Sequence, residues 1–156
     1  MPAVGKFARL TVTGVLPCCL LITITVSASS EVRVAANAER LSGLAVVAEG
    51  LARAAQTGAR IAEPEMHRVK GELTLLDPPD EAEAERCFRI AVDIARAQGA
   101  RWWELRAATS RARLLRRQGR TAEARNQLGE IYNWFTEGFE FADLKDAKAL
   151  LDELAQ

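Results

Sequence analysis

Residues 99 to 119 read GARWWELRAATSRARLLRRQG, a charged, Ala-rich segment bounded at both ends by glycine. Its apolar positions Trp103, Leu105, Ala108, Ala112, Leu114 and Leu115 recur largely at threes and fours, the spacing of a helix with one buried side. The opening GARWWE has an earlier counterpart in Gly58-Ala-Arg-Ile61-Ala62-Glu63 and a later one in Gly138-Phe-Glu-Phe141-Ala142-Asp143, at intervals of 41 and 39 residues. Each copy gives a glycine suited to closing a helix, an apolar residue that starts the next buried face, and an acid in a first helical turn, where it meets the positive end of the helix dipole.

The bodies of the units repeat as well. Ala84, Phe88 and Ala91 fall on one helix face. Ala124, Leu128 and Ile131 follow 40 residues later, and Gly43, Val47 and Gly50 precede by 41. A small–large–small face lets one helix lie close against another, with the large residue as the knob. A fixed period of a few tens of residues marks stacked repeats.

With Gly71 and Ala112 at the small position of the first helix, and Ala84, Phe88 and Ala91 in the second, residues 41–156 resemble the tetratricopeptide repeat family. The period is longer than that family's, and Arg111 stands where a leucine is usual. The stretches HRVKGEL, WWELRAATSRARLLRRQGR and WFTEGFEFADLKDAKALLDEL resemble the C-terminal helical arrays of bacterial ATPase regulators, some of them linked to cyclase or DNA-binding domains. The resemblance implies an all-α, tetratricopeptide-like α-solenoid of antiparallel helix pairs with a C-terminal capping helix. It also implies a non-catalytic protein–protein interaction module, a scaffold in signal transduction whose relatives carry a covalently linked ATPase or cyclase domain.

The expected helices run from Glu31 to Gly58, Glu63 to Leu76, Glu81 to Gln98, through the opening stretch, from Thr121 to Gly138, and from Ala142 to Leu154. The second carries the stripe Met66, Val69, Leu73 and Leu76, with Pro64 in its first turn. Asp80 and Thr121 are expected N-caps. Trp134 and Phe135 are expected inward. Trp102 and Trp103 point about 100° apart, so one belongs in the core and the other is partly exposed or lodged between units.

Residues 1–30 differ from the helical repeat domain, 31–156. Lys6 and Arg9 precede an uncharged apolar run, Leu10 to Ala28, and Val26-Ser27-Ala28 would suit signal peptidase. Two readings stand: a signal peptide, making the protein an exported helical binding protein, or an atypical start to a cytoplasmic array whose first helix is missing. The run is short, Thr-rich and broken by Pro17, so no stable membrane span is expected. A missing first helix would leave an apolar face at Leu41, Leu44, Val47 and Leu51, which invites self-association as a homodimer.

Chemistry is sparse. His67 is the only histidine, and none of the three cysteines has a zinc-ligand neighbour, so neither catalysis nor a metal is expected. Cys87 reads as a small helix residue. Thr109 and Ser110 lack a base, and no phosphate-cradling glycine motif occurs, so no cofactor is expected. The formal net charge is zero, and no nucleic acid is expected as a partner. The charge is nevertheless uneven. Arg101 to Arg125 holds eight arginines against two glutamates. If Ala112 takes the small position, Arg106, Thr109, Arg113, Arg116 and Arg117 project towards a concave groove that would take a protein or acidic peptide. The competing reading is neutralisation by the acidic end of the chain, Glu137 to Glu153.

Overall fold

A computed structural model describes residues 28–156, with side-chain surroundings from residue 37 onward. The candidate signal segment, up to Ser27, lies outside the described residues. The elements are α1 (Ala28–Thr57), a 3-10 turn (Arg60–Ala62), α2 (Glu63–Thr74), α3 (Glu81–Ala97), α4 (Arg101–Arg117), α5 (Thr121–Tyr132) and α6 (Ala142–Glu153). No strand occurs among the described residues, so the fold is all-α as the periodicity requires. No described helix is long and apolar enough to cross a membrane. Each helix touches the next in the chain, and α2, α4 and α6 also touch one another in series.

Glycine closes three of the helices. Gly58, Gly99 and Gly119 follow α1, α3 and α4 with φ of 72°, 67° and 76°, the left-handed region that only glycine enters freely. After Gly58 and Gly99 the chain makes the same tight turn. The amide of Arg60 donates to the Gly58 carbonyl at 2.9 Å, and that of Arg101 to the Gly99 carbonyl at 3.0 Å. The arginine then reaches the acid three residues on: Arg60 to Glu63 at 2.9 Å and Arg101 to Glu104 at 2.7 Å. Both acids are buried, Glu104 completely. The repeated acid therefore does more than face a helix dipole, since it is a buried charge that its own motif supplies with a cation. The third copy has Glu140 in place of the arginine, and its Asp143 stays partly exposed.

Four local expectations are corrected. Helix α5 ends at Tyr132 rather than at Gly138, which lies in the following loop with φ of 79°. The loop instead folds Phe135 and Phe141 against Trp102, with ring centroids 5.8 and 5.6 Å apart. Trp134 is 56% exposed rather than inward. It lies beyond the last helical turn, where the inward face has ended. Thr121 is not a cap, because Arg120 takes that position; its side chain caps none of the helix amides and directs its guanidinium to Glu85 of α3 and Glu123 of α5, each at 2.8 Å. Leu76 is exposed, since α2 stops at Thr74 and the residue falls in the turn beyond it. Asp80 does cap α3, accepting from the Glu83 amide at 3.0 Å, and Pro64 sits in the first turn of α2.

The small–large–small faces form the interior. Ala84, Phe88, Ala91, Ala124 and Leu128 are fully buried. The Phe88 ring lies directly on the backbone of α2, and a Cβ at Gly71 would stand 2.5 Å from the ring edge. Gly43 and Gly50 similarly admit Leu73 and Met66 of α2 against α1. The Arg111 departure has a structural counterpart. Its largely buried guanidinium reaches Glu85 of α3 at 3.2 Å and Glu123 of α5 at 3.4 Å, and also bonds Gln127. A polar clamp across three helices thus replaces an apolar side chain.

Phe88→Ala is expected to cost about 3–5 kcal/mol, and Gly71→Ala roughly 1–3 kcal/mol through overpacking. In the double variant the clash partner is gone, so the two costs should fall short of additive in thermal or denaturant unfolding. Strict additivity would show that the ring does not rest on Gly71.

Candidate functional site

The five residues expected to line a groove are all on α4, and the structure separates their roles. Arg106 is engaged with both neighbouring helices, at 3.1 Å from Glu65 of α2 and 3.7 Å from Asp143 of α6, and it covers the Trp103 ring at 5.4 Å. Thr109 is buried, and its hydroxyl donates to the Leu105 carbonyl at 2.8 Å, so it turns back on its own helix. Arg113 stands 3.5 Å from Asp146, and Arg116 pairs with Glu153. Arg117 is exposed and forms no ion pair with a described residue.

The basic stripe thus runs along an acidic stripe of α6 in the same chain order: Arg106 by Asp143, Arg113 by Asp146, Arg116 by Glu153. That order makes α4 and α6 run parallel, as alternate members of an up-and-down series do. Leu144, Ala147 and Leu150 of α6 enter the same core as Leu105, Ala108 and Leu115 of α4, which fixes the register of the charges above them.

Sequence reasoning missed the contribution of α2. Arg68, largely buried, bonds Glu65 at 2.8 Å, Glu72 at 3.4 Å and the Ser110 hydroxyl at 3.3 Å. The signal was present in the spacing Glu65, Arg68, Glu72, which places both acids next to the arginine on a helix. Arg68, Arg106, Thr109, Ser110, Arg113, Asp143 and Asp146 line a small polar cavity of about 150 Å³ where the three helices meet. Its walls offer guanidinium and carboxylate groups together.

Both tryptophans at the start of α4 are half-buried, rather than one being core. Trp102 is held between Phe135 and Phe141, and Trp103 lies under Arg106. Trp134 lies against Arg101, whose guanidinium carbon is 5.0 Å from the ring centroid.

The titratable groups follow their surroundings. Burial and the neighbouring Lys70 lower the pKa of His67, with Glu63 opposing and Arg86 adding to the fall. Its Nδ1 is buried without a hydrogen-bond partner. Hydrogen bonds from Arg86 and Lys70 bring Glu83 down to about 2. Burial raises Glu85, but bonds from Arg120 and Arg111 outweigh it and the net shift is downward. Burial raises the thiol of Cys87, away from the thiolate form that a nucleophile needs. Among the described residues, no three His, Cys, Asp or Glu side chains are grouped to hold a metal ion.

Comparison with protein-family models, with curated proteins and with solved structures finds no match for this chain.

The lowered pKa values set the sign of the acid response. A group whose pKa falls on folding stabilises the protein above its unfolded value, and that contribution is lost as pH drops towards the folded value. Stability should therefore decline first below 6.5, as His67 becomes protonated, and again from 4.5 towards 2 as Glu83 does. Melting followed by circular dichroism should show His67→Gln flattening the first decline and Glu83→Gln the second.

Proposed function

We propose that the chain is a non-catalytic, tetratricopeptide-like helical-repeat module that binds a protein partner on the face formed by α2, α4 and α6. Successive helices would run as antiparallel pairs in a short α-solenoid, α2 with α3 and α4 with α5, with α6 as the closing helix. The series contact of α2, α4 and α6 supports this arrangement, because in such a stack the first helix of each pair lines the concave side. The resemblance to the helical arrays of ATPase regulators adds that the module would serve a signalling or transcription-regulating ATPase.

The observation that carries the binding reading is the uneven use of arginine along α4. Arg106 is committed to Glu65 and Asp143. Arg113, one face-repeat further on, has a single, largely exposed ion pair, with Asp146 at 3.5 Å, and Arg117 has no ion pair with a described residue. Guanidinium forks left in this state suit carboxylates of an incoming acidic segment. The groove's positive excess therefore lies at its Arg113–Arg117 end, and a partner's acidic residues would lie there.

The test uses a fluorescently labelled peptide of ten glutamates. Binding followed by anisotropy should weaken steeply with salt and disappear in the double variant Arg113→Glu, Arg117→Glu, with helicity and melting temperature unchanged. Equal loss of melting temperature and binding would assign these arginines to the fold, and binding that survives the double substitution would move the partner elsewhere.

A further inference from the structure

The two ends of the helix series are finished differently. At one end, α6 exposes Lys145, Asp146, Lys148, Asp152 and Glu153, a charged surface suited to water. At the other, α1 exposes Leu41 at 57% and Val46 at 67%, along with Ala45, Ala48, Ala52 and Ala55. The interior helices are not like α1. The outward positions of α3 carry Arg86, Arg89, Asp93 and Arg96, and those of α5 carry Arg125 and Glu130. α1 exposes Glu39, Ser42, Glu49, Arg53 and Gln56 as well, but along one side it presents Leu41 and alanines instead of charge.

Leu41, Ala48 and Ala55 belong to one seam, whereas Val46 lies on the opposite side of the helix. Leu41, Leu44, Ala48, Leu51 and Ala55 are separated alternately by three and four, the spacing with which one helix meets another in a two-stranded coil. The seam is separate from the contact with α2, which uses Gly43 and Gly50 on another side of α1. Leu44 and Leu51, at the seam's edge, are only half-buried.

We propose that α1 pairs antiparallel with α1 of a second copy, about a two-fold axis passing near Ala48. The register follows from size. With Ala48 on the axis, Leu41 stands opposite Ala55, Leu44 opposite Ala52 and Leu51 opposite Ala45, so each leucine meets an alanine. Alanine at the centre lets the two backbones approach closely. The ion pair of Glu49 and Arg53, at 2.8 Å, lies on another side of the helix and leaves the seam free of charge. Head-to-tail association is disfavoured, because the seam would then have to cover the charged face of α6. A patch complementary to itself gives a closed dimer instead of a filament. This pairing is independent of the partner-binding face of α2, α4 and α6.

The experiment is sedimentation equilibrium on the full chain with Cys18→Ser and Cys19→Ser, with and without Ala48→Glu. One helix pair lies at the small end of stable interfaces, so a reversible dimer is expected at concentrations up to about 100 μM. A glutamate on the axis should weaken it by about a hundredfold or more, leaving the helicity and melting temperature of the monomer unchanged. Ala48→Cys in the same background should cross-link to its copy under mild oxidation. A monomer throughout that range overturns the proposal, as does a dimer indifferent to Ala48→Glu or one that Ala48→Cys fails to link. A monomer whose melting temperature falls with Ala48→Glu would place another part of the same chain on the seam, which also overturns it.

Discussion

Glu104 is fully buried, and its carboxylate is met by Arg96 from α3 at 2.9 Å and by Arg101 from its own helix at 2.7 Å. An isolated buried carboxylate would cost far more than a small domain can spare, so the position of one helix relative to the next is tied to keeping this charge paired. The tight turn after Gly99 makes the pairing local. It places Arg101 three residues before the acid, and α3 brings Arg96 to the other oxygen. The earlier copy at Arg60 and Glu63 repeats the local half of the device. A buried ion pair adds little net stability. What it adds here is geometric: a helix that slid or rotated would leave the carboxylate unpaired.

The same logic extends across the domain in polar form. Arg111 spans α3, α4 and α5 through Glu85, Glu123 and Gln127, and Arg106 spans α2, α4 and α6 through Glu65 and Asp143. Two arginines five residues apart on one helix thus serve opposite sides of it. Apolar contacts between Ala-rich faces are short and smooth, and they fix distance better than register. Arginine forks, with fixed donor directions, add the register. Most of the cationic charge on α4 is therefore structural, and of its arginines Arg117 alone forms no ion pair with a described residue.

The two ends of the series differ in what their exposed sides carry. A helix side that faces water is suited by charge, and α6 exposes Lys145, Lys148 and Asp152. On α1 the line from Leu41 through Leu44, Ala48 and Leu51 to Ala55 carries no water-seeking group, while Ser42, Glu49, Arg53 and Gln56 are exposed elsewhere on the helix.

The sequence by itself determined the helices and their repetition. Glycines at 58, 99 and 119, the cap at Asp80, and the faces around Phe88 and Leu128 are local or periodic properties, and local chemistry decides them. It also marked the basic stripe and its acidic counterpart, and Arg111 as a departure from the repeat. Only the tertiary structure decided which charge meets which. Arg106 and Arg117 share a helix face and a residue type, yet one is held by α2 and α6 and the other by neither. Arg68 entered the site through Ser110, 42 residues away. The end of α5 and the place of Trp134 were hidden for the same reason: a helix stops where its buried face runs out of neighbours, and those neighbours, here Trp102 and Phe141, come from elsewhere in the chain.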